Sequence, residues 1–154
     1  MKNRRLLILS PATIAGILLG LYRFSAEMKR QKEETRSELE ELVERLQSDL
    51  PIVHEFQSIV ITQTGLMFRN DSLITTYQCE AADSILAGFR EGRFTSSLRE
   101  EGLQGLLSDY KSVRLTYDAC NLGLVISEQF YDKDGVPVYF LEYSPDDYRP
   151  LLKK

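Results

Sequence analysis

Leu122–Tyr143, LGLVISEQFYDKDGVPVYFLEY, reads as two strands joined by a turn. Leu122–Tyr131 and Val136–Tyr143 are rich in β-branched and aromatic side chains. Between them Asp132-Lys133-Asp134-Gly135 suits a type I turn with Gly135 in the left-handed position of a G1 bulge. That turn sets an expected register: Phe130 against Val138, Glu128 against Phe140, Ile126 against Glu142. On it Leu122, Leu124, Ile126, Phe130, Val138 and Phe140 share one apolar face, the expected core. The other face presents Tyr131, Tyr139, Leu141 and Tyr143, a candidate partner face because tyrosine joins an apolar body to a polar tip. The competing expectation is that helices cover these tyrosines. Pro137 argues for an edge position of the last strand.

Upstream, Ser112–Tyr117 is expected to be a further strand, completing a three-stranded antiparallel meander. Before it, Ser97-x-x-Glu100 has the spacing of a capping box, opening a helix to about Tyr110 with Leu98, Leu103, Leu106 and Leu107 on its apolar face. Gly102 and Gly105 inside that helix are unfavourable unless a neighbour approaches closely. Glu80–Phe89 reads as a short helix broken before Gly92. Gln57–Cys79 reads as a β-hairpin about Arg69-Asn70-Asp71-Ser72. Residues 51–154 are therefore expected to form one α+β domain with a β-hairpin, a helix pair and the meander.

The first 50 residues are of a different kind. Leu6–Tyr22, LLILSPATIAGILLGLY, is uncharged and follows Lys2, Arg4 and Arg5. As a helix it spans about 26 Å, close to a hydrocarbon core of about 30 Å. A signal peptidase needs small residues at the third-last and last positions of its site, which Leu18/Gly20 and Phe24/Ala26 fit poorly, so the run is expected to remain as a single-pass signal-anchor. The expected layout is a basic tail (1–5), a transmembrane anchor (6–24), a helical stalk (25–50) and the domain (51–154). Ala12, Gly16 and Gly20 recur every four residues and offer a face for membrane-helix association. In the stalk Lys29/Glu33, Arg30/Glu34 and Arg36/Glu40 have i,i+4 spacing. The stripe Leu39, Leu42, Val43, Leu46, Leu50 then suits either a short coiled coil, hence a homodimer or a partner of similar layout, or docking onto the domain. Pro51 ends the helix.

The charge of −4 is unevenly spread: the basic residues up to Arg23 precede the first acid, Glu27, leaving the remainder more acidic than the whole. An acidic domain argues against nucleic acid. The basic tail favours an extracytoplasmic domain, although Arg23, Lys29, Arg30 and Lys32 nearly balance it. Cys79 and Cys120 are the only cysteines. A disulfide between them would contribute about 4 kcal/mol and fit an oxidising compartment; two buried thiols fit equally well.

Catalytic signals are sparse. On the expected register Glu128 and Glu142 lie diagonally on one face, the arrangement of a carboxylate pair for acid/base hydrolysis, against the plainer reading of structural acids. His54, the only histidine, has no nucleophile motif beside it. No spacing implies a metal or another cofactor. In layout alone, the chain resembles the membrane-proximal subunits of bacterial secretion, pilus and division machines. It is read as a non-enzymatic, membrane-anchored interaction or assembly module. An anchored hydrolase and a mitochondrial inner-membrane subunit are the alternatives.

Overall fold

The structure is a computed structural model and describes residues 11–56 and 58–153. The chain divides into two compact units, Met1–Glu34 and Thr35–Lys154. Helix α1 spans Pro11–Gln47. In the first unit Arg30 pairs with Glu27 at 2.9 Å and with Glu34 at 3.6 Å, and Lys29 with Glu33 at 3.9 Å, the short-range pairs of a solvated helix. Among the described residues no helix is long and apolar enough to cross a membrane. The basic tail and the first part of the expected span, through Ser10, lie outside the described residues.

In the second unit, α1 becomes a core element. Leu39 and Val43 are buried and Leu46 and Leu50 pack beside them, against Leu66, Leu73, Ile126 and Leu141 of the sheet. Of the two fates expected for this stripe, a short coiled coil or docking onto the domain, docking is the one seen, and burying the stripe there also covers the sheet.

That sheet has five strands in the order β1 (Ile52–Phe56), β2 (Ile59–Arg69), β3 (Ser72–Ala81), β4 (Val125–Tyr131) and β5 (Pro137–Tyr143). The β2–β3 hairpin forms where expected, with Asn70 at φ 54 in its turn. β3 then pairs in parallel with β4, and the connection between them carries α2 (Asp83–Arg90), α3 (Thr95–Gly105) and α4 (Tyr110–Leu122). A short helix α5 (Pro145–Tyr148) closes the core; buried Tyr148 donates to the Leu124 carbonyl at 2.7 Å.

Three expectations are corrected here. Ser112–Tyr117 is helical, so the meander reduces to the β4–β5 hairpin. The Asp109 carboxylate accepts from the backbone N–H of Lys111 (2.8 Å) and Ser112 (3.0 Å) and nucleates α4 as its N-cap. Ser97-x-x-Glu100 forms no capping box, since α3 already starts at Thr95. The β4–β5 register is displaced by one residue. The turn is as expected, with Gly135 at φ 77 and Asp132 accepting from the N–H of Asp134 and Val136, both at 2.9 Å. Val138, however, is the extra residue of a bulge, so Phe130 faces Tyr139, Glu128 faces Leu141 and Ile126 faces Tyr143. The slip inverts β5: Leu141 and Tyr143 enter the core while Phe140 is half exposed on the opposite face.

Replacing fully buried Leu39 by Ala should lower unfolding free energy by about 2–5 kcal/mol. The same truncation at exposed Leu21 should change it by less than about 0.5 kcal/mol. Chemical denaturation of the two variants checks both values.

Candidate functional site

The helix-covered face of the sheet is not completely filled. A cavity of about 390 Å³ opens between the strands, the end of α1 and the α3–α4 connection. Its floor is Leu66, Leu73, Thr75, Tyr77, Ile126 and Glu128; Leu46 and Leu50 form one wall, Leu106, Leu115 and Thr116 another. Thr116 donates to the Leu106 carbonyl at 3.0 Å and so ties α4 to the connection. His54, Asp49, Asp109 and Lys111 stand at the rim, where Lys111 lies 3.6 Å from Asp49.

Glu128 is the unusual residue of this surface. It sits in β4, beside Thr75 of β3 and Leu141 of β5, on the face that otherwise carries the core. The Tyr77 hydroxyl donates to Oε1 at 3.5 Å and that of Tyr143 to Oε2 at 3.3 Å. Burial pushes its carboxyl above the usual carboxylate range, and the hydrogen bonds from Tyr143 and Tyr77 only partly oppose this. Both phenols are pushed up in turn, first by burial and then by the neighbouring Glu128 charge. Phe130 stacks on Tyr77 with ring centroids 4.7 Å apart.

α3 lies over this cluster because of Gly102. A Cβ there would overlap the Tyr143 hydroxyl and come within 3.0 Å of Glu128 Oε2. The close approach expected of this glycine is therefore present, and Arg99 secures it from the same helix. Its guanidinium donates to the Glu142 carbonyl at 2.7 Å, pairs with Asp147 at 2.8 Å and lies 5.2 Å from the Tyr143 ring centre. Gly105 differs, with nothing within 4 Å of a Cβ, and lines the cavity.

The other sequence candidates are scattered. Glu142 pairs with Ser127, on the opposite face from Glu128, so the two acids do not form a carboxylate pair. Tyr131, Tyr139, Leu141 and Tyr143 do not form one surface: Leu141 and Tyr143 are buried, Tyr139 is half-buried beside them, and Tyr131 lies on the far face. Cys79 and Cys120 are separate thiols, Cys79 packing with Leu86 and Val138 and Cys120 with the main core, so the candidate bridge is not formed. Burial lifts the Cys79 thiol to about 11. Gly16 and Gly20 lie on α1 with nothing within 4 Å, and the surroundings of the Ala12 side chain lie outside what is described. Among the described residues no three His, Cys, Asp or Glu side chains are grouped to hold a metal. Tyr77, Asp109 and Lys111 were not legible as site residues; the aspartate before Tyr110-Lys111-Ser112 is the one local signal, that of an N-cap.

Gly102→Ala should cost about 1–3 kcal/mol through overpacking against Tyr143. Gly105→Ala, in open space within a helix, should stabilise by about 0.4–1 kcal/mol. Thermal melts of the two variants, shifting in opposite directions, check this reading of α3.

No family model and no curated protein matches the chain. Among solved structures, the fold is similar to a candidate secreted protein of Pseudomonas aeruginosa, with 18% identity and TM-score 0.56 over 77% of this chain and 96% of that one. It is also similar to the pilotin of the Vibrio vulnificus type 2 secretion system, with 12% identity and TM-score 0.51 over 80% of this chain and 96% of that one. At these identities the likeness is one of fold: a mixed α+β domain of the kind found in a secretion-system pilotin.

Proposed function

We propose that the chain is a non-catalytic assembly module of a bacterial envelope complex, whose domain works outside the cytoplasm and holds a segment of a protein partner in the cavity beside Glu128. The observation that carries this reading is the cavity itself. It lies between α1, the α3–α4 connection and the sheet, in a fold shared with a type 2 secretion pilotin. Its lining joins leucines to polar side chains, among them Asp49, His54, Thr75, Tyr77, Lys111 and Glu128, a mixture that can seat an apolar segment and orient it. A hydrolase based on Glu128 and Glu142 is disfavoured because the sheet separates them. The uncharged run Leu6–Tyr22 behind Lys2, Arg4 and Arg5 supports attachment to a membrane, with the basic tail on the cytoplasmic side. In this reading the end of α1, through Leu46, supplies one wall of the cavity.

Site-specific incorporation of a photo-crosslinking phenylalanine in cells tests the surface. At Lys111, exposed on the cavity rim, it should give one discrete crosslinked protein; at Phe140, exposed on the open sheet face, it should give none. Crosslinking from Phe140 alone, or from neither position, contradicts the proposal.

A further inference from the structure

We propose that the partner segment held in the cavity carries a lysine or arginine whose stem lies along the leucine walls and whose cationic head meets Glu128. This rests on the function proposed above and specifies the chemistry of its partner. The floor supplies the first argument. Glu128 accepts from two tyrosine hydroxyls, one on each carboxylate oxygen, while a carboxylate offers about four acceptor positions. Among the described residues no lysine or arginine pairs with it, and no cation figures among the influences on its carboxyl. A buried charge left in that state is unfavourable, and a cation arriving from outside would relieve it.

The rim supplies the second. Asp49 and Asp109 stand there with His54 and Lys111, and Lys111 already reaches Asp49 at 3.6 Å. The N–H and hydroxyl of Ser112 hold the Asp109 carboxyl low, so that charge persists in mildly acidic solution. An anionic ligand would meet Asp49, Asp109 and Glu128 with one ammonium to set against them, whereas a cation finds complementary charge at rim and floor. Shape supplies the third. Leu50, Leu106 and Leu115 line the same cavity as Glu128, and a long apolar stem ending in a cation is the form of a lysine or arginine side chain. The volume of about 390 Å³ accommodates that side chain together with parts of its neighbours.

The test selects random dodecapeptides displayed on phage against the immobilised full-length chain. Peptides that no longer bind Gly105→Trp, which places an indole in the open space of the cavity, are retained as cavity binders. These should share one lysine or arginine flanked by apolar residues. Replacing it in the peptide by norleucine should weaken binding to the wild-type chain about tenfold or more, and should change binding to Glu128→Gln far less. The loss expected on norleucine substitution is read on the wild-type chain, whose fold that substitution leaves untouched. Cavity binders that lack a shared cation, or whose cation matters equally to Glu128→Gln, overturn the inference and leave the partner-binding cavity standing. Recovery of no peptide sensitive to Gly105→Trp overturns both.

Discussion

Strands β3 and β4 lie side by side and parallel, and parallel neighbours cannot be joined by a hairpin. The chain between them must cross the sheet, and it does so as α2, α3 and α4. Those helices, with the end of α1, bury the face carrying Leu66, Leu73, Ile126 and Tyr143 and leave Met67 and Phe140 on the other side exposed. The cavity is a consequence of that crossing. α3 is drawn onto β5 by Gly102 and Arg99, α4 begins afresh at its Asp109 cap, and the turn between them stands away from the end of α1. The space left over falls on Glu128.

A carboxylate in that position works against stability. Because burial raises its folded-state value, the folded chain holds this proton to higher pH than the unfolded chain, whose value is near 4.5. The group's contribution to stability is therefore greatest below that pH and falls as pH rises through the folded-state value. Glutamine would fill the same space without that dependence, and the tyrosine hydroxyls could still bond to it. The acid is thus better explained by what enters the cavity than by the fold, which would be served as well without a charge.

Local chemistry was legible where one residue type dictates one geometry. The Asp132–Gly135 turn, the β2–β3 hairpin and the close approach at Gly102 were all readable from the residues that require them. What was hidden depends on long-range pairing. Val113, Leu115 and Tyr117 alternate as a strand would, yet Thr116 and Ala119 face the core of a helix once Asp109 caps it. The bulge at Val138 has no signature in the turn, and its single extra residue moved Leu141 and Tyr143 from a supposed partner face into the core and separated Glu142 from Glu128. Glu128 was legible as an acid on an apolar face; its companions Tyr77 and Lys111 come from elements whose packing no short-range pattern reveals.

The cavity's proposed role turns on a buried carboxyl that no cation among the described residues meets, and titrating Glu128 decides whether it is one. Carbon-13 NMR of the Glu128 side-chain carboxyl in the full-length chain, followed from acid to neutral pH, should give a midpoint above the ordinary 4.5. A midpoint at or below 4.5 would mean that Glu128 is solvated or already paired with a cation of this chain, and would contradict the account.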